Sequence, residues 1–555
     1  FVLVLVGAAT QAAGPWLISR AIDQDIGHRD SAGLARTVAL LFGVYVLGAL
    51  ASRGQLVAVS NTSQRVLADL RGRLFRQFMY LPLGYFDRRP LGDLLSRATA
   101  DVDTLSQLLS QSLTQLLGSL FGLIGIVVAM LALNVRLGVV AFAIIPVMLL
   151  VTRYLAERAR LAYRQTRLTT GEVTARLEED IIGVREAQAF NRTEATIAQF
   201  RAENAANRDA NVQATAITSA FAPTMDVLSM LATALVIGYG SYLVFQGELT
   251  VGLLAAFLIY VQQFFRPIQL ASQVYAQMQA ALAGAERIYA ILDEPCEPPD
   301  PPDARVLTGT TGAIAYENVT FGYTPDQPVL HAITFQAEPG QAVAIVGSTG
   351  AGKSTLISLL PRFYDVQDGV VRLDGQDVRQ VTRASLRAQI ALVPQEPFLF
   401  DGSVAENIGY GRPGATREQI EQAARAVAAH DFIMELPQGY DTPVGERGGG
   451  LSQGQRQLVM FARAVLADRP ILILDEATSN IDTRTERAIQ QALAVLLRGR
   501  TSLAIAHRLS TIQNADLILV LEGGRIVERG THQTLLAAGG RYAELYKLAI
   551  ASGTA

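Results

Sequence analysis

A length of 555 residues predicts more than one domain, and a charged fraction of 17%, against about 25% in average soluble proteins, favours a membrane protein. The net charge of −3 gives no basic footprint, so nucleic acid is excluded as an expected partner. The single cysteine, Cys296, excludes an intramolecular disulfide framework and a cysteine-rich metal site.

Six stretches within the first 290 residues have the composition of membrane spans. Only Arg53 is charged within residues 37–63, and five other stretches carry no Asp, Glu, Lys or Arg: residues 1–19, 104–135, 137–152, 227–247 and 249–265. A helix needs about 20 mostly apolar residues to cross the hydrocarbon of a bilayer. The sequence therefore predicts six membrane-spanning helices.

The loops between these spans differ in positive charge. Residues 64–103 contain seven arginines and residues 153–210 contain ten, whereas the other three connections contain three, one and none. Because cytoplasmic loops carry the excess of Lys and Arg, we expect both long loops and both chain ends in the cytoplasm. Both loops are also rich in Ala, Leu, Arg, Glu and Gln, which favours helix. Short breaks at residues 81–84 and 182–183 would each allow a transverse helix that docks on another domain.

A proline-rich stretch separates two halves of different character. Residues 294–302 read EPCEPPDPP, and five prolines in nine residues cannot continue a helix. Beyond them, short β-branched runs alternate with glycine turns and helical stretches, as in α/β proteins. We expect an all-α transmembrane domain of six long helices over residues 1–293, a linker over 294–312, and an α/β P-loop ATPase domain over 313–555.

The second half contains a phosphate-binding motif. Residues 342–346 read AVAIV, a buried-strand pattern, and residues 347–355 read GSTGAGKST, which fits G-x-x-x-x-G-K-[ST] between a strand and a helix. Lys353 would reach the β- and γ-phosphates, and Ser354 would hold Mg²⁺. The candidate ATP-binding residues are Gly347, Ser348, Thr349, Gly350, Ala351, Gly352, Lys353, Ser354 and Thr355.

Two further apolar strands end in residues suited to ATP hydrolysis. Residues 471–476 read ILILDE, which places Asp475 to contact Mg²⁺ and Glu476 to act as the general base for the attacking water. His507 follows another apolar strand in AIAHRLS. A lone histidine is more often structural than catalytic, but this one ends a strand of the same predicted sheet.

With these motifs, LSQGQRQ at residues 451–457 makes the chain resemble an ABC exporter, six transmembrane helices followed by a nucleotide-binding domain. Tyr323 resembles the aromatic residue that stacks on adenine, and Gln395 resembles the Q-loop glutamine that senses Mg²⁺. VGERG at 444–448 resembles the X-loop, and His507 the switch histidine that holds the γ-phosphate. The D-loop would be SNID, with Ser479, Asn480 and Asp482. Residues 85–103 and 265–293 also resemble such exporters, so the likeness covers nearly the whole chain.

The resemblance implies a head-to-tail dimer with ATP and Mg²⁺ as cofactors. Each ATP would lie between the phosphate loop of one chain and the signature of the other, which comprises Leu451, Ser452, Gln453, Gly454 and Gln455. Ser452 and Gly454 would contact the γ-phosphate, while Asp475, Ser354 and Gln395 of the first chain hold the metal. Loops near 81–92 and 182–195 would act as coupling helices for alternating access. The protein would be integral to the bacterial inner (plasma) membrane, in contact with membrane lipid, with a cytoplasmic nucleotide-binding domain.

Two residues depart from the family pattern. The signature usually reads LSGGQ, and here Gln453 replaces the first glycine; the D-loop usually reads SALD, and here Asn480 replaces alanine. In exporters built from two different halves, LSQGQ often occurs in the half that keeps its glutamate. Because Glu476 and His507 are both retained, we favour a second, degenerate half-transporter as partner over a homodimer.

Several functions fit this architecture. We expect export of a small amphipathic substrate, drug-like or lipid, and Gln115, Tyr260 and Gln262 would either line a cavity for it or join helices. A peptide exporter of the same architecture stays open, as does a nucleotide-gated channel or regulatory subunit, although the retained Glu476 argues against a gate. Six spans exclude a soluble ABC ATPase, and the fused domain order disfavours an importer.

Overall fold

A computed structural model describes residues 2–445, 448–475, 483–506 and 509–551. The chain divides into two compact units. The first unit comprises Phe1–Met79 and Leu91–Glu294, and the second unit comprises Tyr80–Pro90 and Pro295–Ala555. The tip of the first long loop thus belongs to the same unit as the C-terminal half of the chain.

The N-terminal half is helical throughout, with π-helical turns at Ala21–Ile26, Arg97–Asp101 and Leu108–Ser112. Its described helices are α1 (Val2–Arg20), α2 (Ser31–Tyr80), α3 (Leu83–Asp87, in the second unit), α4 (Leu91–Ser96), α5 (Val102–Gln107), α6 (Leu113–Leu133), α7 (Val135–Phe142), α8 (Ile145–Ile182), α9 (Val184–Ala189), α10 (Thr193–Ser219), α11 (Phe221–Phe245) and α12 (Val251–Leu292).

Five continuous helical stretches of the described residues are long and apolar enough to cross a membrane: Val2–Ile26, Ser31–Tyr80, Leu91–Leu133, Val135–Ile182 and Thr193–Phe245. The sixth predicted span opens α12, whose described apolar part, Val251–Phe265, is shorter. Asn134 separates the third and fourth stretches. Its backbone is extended and its side chain accepts a hydrogen bond from the Leu137 N–H (3.0 Å), which starts the next helix.

A short helix stands at each of the two breaks predicted in the long loops. Pro82 lacks an N–H and precedes α3, so α2 ends at Tyr80. Gly183 caps the end of α8 before α9. The long helices on either side extend well past the apolar runs, as the Ala-, Leu- and Arg-rich composition predicts.

Side chains and caps tie the helices of the first unit together. The Tyr260 hydroxyl on α12 donates to the Ala12 carbonyl on α1 (2.5 Å) and is fully buried. Asp23 accepts hydrogen bonds from the Gly252 N–H (2.7 Å) and the Thr250 hydroxyl (2.6 Å), so it caps the first turn of α12. Tyr260 therefore joins helices, whereas Gln262 is exposed.

The second unit is α/β. Its described strands are β1 (Ile314–Phe321), β2 (Leu330–Ala337), β3 (Ala342–Gly347), β4 (Asp368–Leu373), β5 (Gln376–Asp377), β6 (Ile390–Val393), β7 (Ile471–Asp475), β8 (Thr501–Ile505), β9 (Leu517–Glu522) and β10 (Arg525–Gly530). Its described helices after the linker are α13 (Lys353–Leu359), α14 (Arg383–Arg387), α15 (Val404–Gly409), α16 (Arg417–Ala426), α17 (His430–Glu435), α18 (Gln453–Ala467), α19 (Thr483–Leu497), α20 (Leu509–Gln513), α21 (His532–Ala538) and α22 (Arg541–Ala551).

Two sheets organise this unit. An antiparallel sheet has the order β2-β1-β4-β5, and a larger sheet has the order β10-β9-β3-β8-β7-β6. Strands β9, β3, β8, β7 and β6 run parallel, and β10 is antiparallel to β9. The residues of β3, β7 and β8 are almost all buried, as expected for parallel strands covered on both faces. The carboxyl ends of these strands share one edge, where ligands of open parallel sheets bind.

Candidate nucleotide-binding site

The phosphate loop runs from the end of β3 to the start of α13, and glycine is required at several of its positions. Gly350 and Gly352 have φ values of +82° and +97°, in the left-handed region that glycine adopts at no steric cost. A Cβ on Gly347 would lie 2.3 Å from the Leu521 carbonyl oxygen of the neighbouring strand. The loop therefore leaves its backbone close to any group that it surrounds.

Lys353 turns its amine back into this loop. Its Nζ donates hydrogen bonds to the carbonyl oxygens of Gly347 and Ser348, both at 2.9 Å. Burial lowers the pKa of the Lys353 ammonium below its usual value, and the negative charge of Asp475 acts in the opposite direction. A partly desolvated cation at the positive end of a helix is suited to binding phosphate. The arrangement fits the β- and γ-phosphates of ATP.

The predicted Mg²⁺ ligands lie at or beyond the carboxyl ends of three parallel strands, β3, β7 and β6. Ser354 is exposed in the first turn of α13, Asp475 ends β7, and exposed Gln395 lies two residues beyond β6. No group of three or more His, Cys, Asp or Glu residues in the described part of the chain could hold a metal ion. The three predicted ligands offer one carboxylate, one hydroxyl and one amide oxygen, which fits Mg²⁺ because it usually binds one or two carboxylates together with substrate phosphates and water.

An aromatic cluster adjoins the loop. Tyr323, after β1, is 45% exposed, and its hydroxyl is 3.1 Å from the Thr355 hydroxyl on α13. Its ring packs edge-to-face against Phe321 and Tyr364, with centroids 5.3 and 5.2 Å away. An exposed ring so close to the phosphate loop is suited to stacking on an adenine.

The predicted signature forms the start of α18. Ser452 is the N-cap and makes a capping box with Gln455: the Ser452 hydroxyl accepts from the Gln455 N–H (3.3 Å), and the Gln455 side chain accepts from the Ser452 N–H (2.9 Å). Leu451 and Gly454 are buried, and Gln453 occupies the first turn. Among the described residues, no hydrogen bond joins the signature to the phosphate loop of the same chain. The signature thus presents a second helix N-terminus suited to an anion.

Other predicted residues lie outside the described part of the chain. These are the general base Glu476, the histidine His507, and the D-loop residues Ser479, Asn480 and Asp482, together with two residues of the VGERG motif. Their roles stay predictions.

The sequence analysis missed Tyr364, which follows the helix of the phosphate loop. Its ring contacts Tyr323, and its hydroxyl donates a hydrogen bond to the Asp87 carboxylate of α3. A tyrosine eleven residues after Lys353 carries no signal by itself, because its partner lies 277 positions away in sequence. Only the fold brings these side chains together.

Comparison with known families agrees with this geometry. The family described as ABC transporter transmembrane region matches residues 1–268. The family described as ABC transporter matches residues 330–479, which include the phosphate loop, the signature and the end of β7.

Named relatives and a solved structure match almost the full length. The fatty acid ABC transporter ATP-binding/permease protein of Mycobacterium tuberculosis is 40% identical over 516 residues, 93% of this chain and 82% of the relative. The ATP-dependent lipid A-core flippase of Escherichia coli is 37% identical over 549 residues, 99% of this chain and 94% of the relative. The structure of a bacterial Atm1-family ABC exporter with ATP bound superposes with a TM-score of 0.80 at 32% identity, and the match covers 98% and 96% of the two chains.

Proposed function

Because the chain belongs to the ABC transporter family, we propose that it exports an amphipathic substrate, a lipid or a drug-like molecule, by alternating access. It is an ATP hydrolase coupled to transport, and an integral inner-membrane protein with a cytoplasmic ATPase domain. The observation that carries the proposal is that one chain joins apolar helices of membrane-spanning length to a phosphate loop closed around Lys353. We further propose the domain limits 1–293 and 313–555, with the linker between them.

In the proposed reaction, the loop from Gly347 to Thr355 binds the phosphates of ATP, and Tyr323 stacks on its adenine. Mg²⁺, held by Ser354, Asp475 and Gln395, would neutralise charge on the phosphates. Glu476 then orients the attacking water, and His507 holds the γ-phosphate. The signature of the second chain closes the site, so ATP binding joins the two chains and hydrolysis releases them.

The tip of the second long loop supports a dimer. Four apolar side chains at the end of α8, the start of α9 and the end of α9 are 51–78% exposed: Ile181, Ile182, Val184 and Phe190. They lie beyond the arginine-rich part of α8, at its far end from the charge-free run 137–152, so lipid is not expected to cover them. Large apolar side chains exposed so close together in sequence, away from the membrane, point to a protein contact. We assign it to a second half-transporter.

We favour a heterodimer, on the strength of Gln453 and Asn480. The active site would then combine the phosphate loop and Glu476 of this chain with the signature of the partner, while the Gln453 signature caps a degenerate site. Mg-ATP hydrolysis in lipid nanodiscs tests this inference. We expect the chain alone to hydrolyse no ATP, and we expect addition of a partner half-transporter to give ATP hydrolysis that depends on Glu476. Turnover by the chain alone, abolished by Glu476→Gln, would establish a homodimer instead.

A cavity in the first unit supports an apolar moiety in the substrate. It lies between α6 and α12, has a volume of about 270 Å³, and is lined by aliphatic side chains except for Gln115 and Ser119. Pockets for drug-sized ligands measure roughly 300–1,000 Å³, so this cavity suits part of a molecule, such as one chain of a lipid. The relatives named for fatty acids and for lipid A-core agree with this substrate class.

A lipid-translocation assay tests the proposed function. Wild-type protein, with its partner where one is needed, is reconstituted into liposomes that contain a fluorescent phospholipid, and an impermeant quencher reports the lipid on the outer leaflet. We expect Mg-ATP to move lipid between leaflets in wild type but not in Lys353→Ala. ATP hydrolysis without lipid movement, unchanged by the lipid, would reject the lipid class and leave drug-like and peptide substrates to test.

A further inference from the structure

The segment Tyr80–Pro90, which contains α3, is anchored at both ends within the second unit. At its start, the Tyr80 carbonyl accepts a hydrogen bond from the Glu297 N–H (2.8 Å). At its end, the Asp87 carboxylate accepts a hydrogen bond from the Tyr364 hydroxyl. Between these anchors the Tyr364 ring packs so closely on Gly84 that an added Cβ would lie 3.2 Å from the ring.

The opposite side of Tyr364 packs against Tyr323, the proposed adenine-stacking residue. Its ring meets that of Tyr323 edge-to-face, at 5.2 Å and an interplanar angle of 89°, and it also packs on Phe321 at 5.5 Å. Tyr323 in turn shares a hydrogen bond with Thr355 on the phosphate-loop helix. An unbroken series of contacts therefore runs from Thr355 through two tyrosine rings to Asp87.

We propose that Tyr364 is a positioning residue that transmits the occupancy of the nucleotide site to the segment Tyr80–Pro90 through its hydrogen bond to Asp87. The inference rests on the proposed function only in taking ATP as the ligand of this site. A base stacked on Tyr323 fixes the orientation of that ring, and the edge-to-face contact passes the restriction to Tyr364. The hydroxyl then holds Asp87, and with it a segment that continues directly from the end of α2.

The chemistry of the pair suits this role. Burial, and then the hydrogen bond to Asp87, raise the pKa of the Tyr364 hydroxyl above its ordinary value, so it stays a neutral donor at physiological pH. A hydrogen bond from a neutral donor to an ionised carboxylate is about twice as strong as one between neutral groups. Phenylalanine at position 364 would keep the ring contacts with Tyr323 and Phe321 and remove only this bond.

Hydrogen exchange of the full-length chain in lipid nanodiscs, with its partner where one is needed, tests the proposal. Wild type, Tyr364→Phe, Asp87→Ala (which removes the acceptor) and the double variant are compared with and without AMP-PNP, a non-hydrolysable ATP analogue. We expect AMP-PNP to protect both residues 347–355 and residues 80–90 in wild type. In each variant, the protection of 347–355 should persist and the response of 80–90 should fall to that of the nucleotide-free chain. The double variant should lose no more of the AMP-PNP-dependent protection of residues 80–90 than either single variant, because both substitutions remove the same hydrogen bond.

Tyr410→Phe is the matched control, because Tyr410 is 61% exposed and its hydroxyl has no hydrogen bond in the described structure; it should behave as wild type. A response of 80–90 that survives in Tyr364→Phe would overturn the proposal. So would an equal loss of protection at 347–355, since Tyr364 would then serve only nucleotide binding. A failed lipid-translocation assay leaves this exchange response intact, so the two proposals fail separately.

Discussion

At the scale of single residues, the phosphate loop is defined by where a side chain cannot fit. Gly347 has the Leu521 carbonyl oxygen within 2.3 Å of an added Cβ, whereas Gly350 has nothing within 4 Å and only a positive φ. The first restriction is a clash between an added Cβ and the backbone of the neighbouring strand, and the second is conformational strain of the left-handed region. The two glycines therefore make a matched pair for mutation.

We expect Gly347→Ala to abolish ATP binding and to cost about 1–3 kcal/mol or more of stability, because β3 must move away from β9. Gly350→Ala should cost about 1–2 kcal/mol, the strain of the left-handed region, and should weaken ATP binding less. Thermal unfolding and equilibrium binding of a fluorescent ATP analogue measure both quantities. Equal losses in the two variants would contradict this distinction.

The Tyr323 ring and hydroxyl have separable roles. We expect Tyr323→Phe to keep most of the affinity for ATP, because only the hydrogen bond to Thr355 is lost. Tyr323→Ala should weaken binding by about 0.5–1.5 kcal/mol or more, since an aromatic contact contributes that much beyond buried area. Titration with Mg-ATP measures the affinities of the two variants, each in a Glu476→Gln background so that the bound ATP is not hydrolysed. If Tyr323→Ala binds Mg-ATP as tightly as wild type, Tyr323 does not contact the nucleotide.

At the scale of elements, the start of α18 has a close counterpart elsewhere in the second unit. Thr416 and Gln419 form the same capping box at the start of α16, with hydrogen bonds of 3.0 and 3.3 Å against 2.9 and 3.3 Å for Ser452 and Gln455. The two caps differ in the proposed contact of Ser452 with ATP. Comparing them separates helix stability from the role of the signature.

We expect Ser452→Ala and Thr416→Ala to cost a similar amount of stability, about 1 kcal/mol each. In the proposed heterodimer, Ser452 caps the degenerate site, so Ser452→Ala should leave most of the turnover, whereas Lys353→Ala abolishes it. Steady-state hydrolysis by the reconstituted pair measures the difference. Turnover that collapses in Ser452→Ala but not in Thr416→Ala would favour two equivalent sites.

The elements show where sequence reasoning reaches its limit. The break before α3 could be predicted, because Pro82 lacks the N–H that would continue α2. The phosphate loop could be predicted because all its residues are contiguous. The contact that attaches the linker, between Arg387 and Glu297 (2.5 Å), could not be predicted, because the two residues are 90 positions apart. The hydrogen bond from Tyr364 to Asp87 could not be predicted either, because it spans 277 positions. Contacts between distant surface side chains leave no periodic pattern in a sequence.

At the scale of the whole molecule, hydropathy predicted both the two-part architecture and the apolar helices. Five of the six predicted spans meet the length of a membrane helix in the described residues, and the sixth is a shorter apolar part of α12. Charge-free runs identify spans because an unpaired charge in hydrocarbon is costly. They carry no information on a second chain, and the proposed assembly rests instead on the exposed apolar side chains at the tip of the second loop.

The loop tip gives a prediction on assembly. We expect Phe190→Asp, at a side chain 78% exposed, to leave ATP binding by the chain intact and to lower the turnover of the reconstituted pair, because a charge would be buried against the partner. Phe190→Leu keeps the apolar contact and is the control. Hydrolysis rates of the two variants in nanodiscs check the expectation, and equal, undiminished rates would place the interface elsewhere.

The most direct measurement of the central claim is Mg-ATP hydrolysis by this chain reconstituted with a partner half-transporter in nanodiscs, compared between wild type and Glu476→Gln. The account predicts that Glu476→Gln loses turnover and still binds ATP, because the substitution removes the base and leaves the phosphate loop and Tyr323 in place. Undiminished hydrolysis by Glu476→Gln would contradict the account, since the chain would then not supply the active site that drives transport.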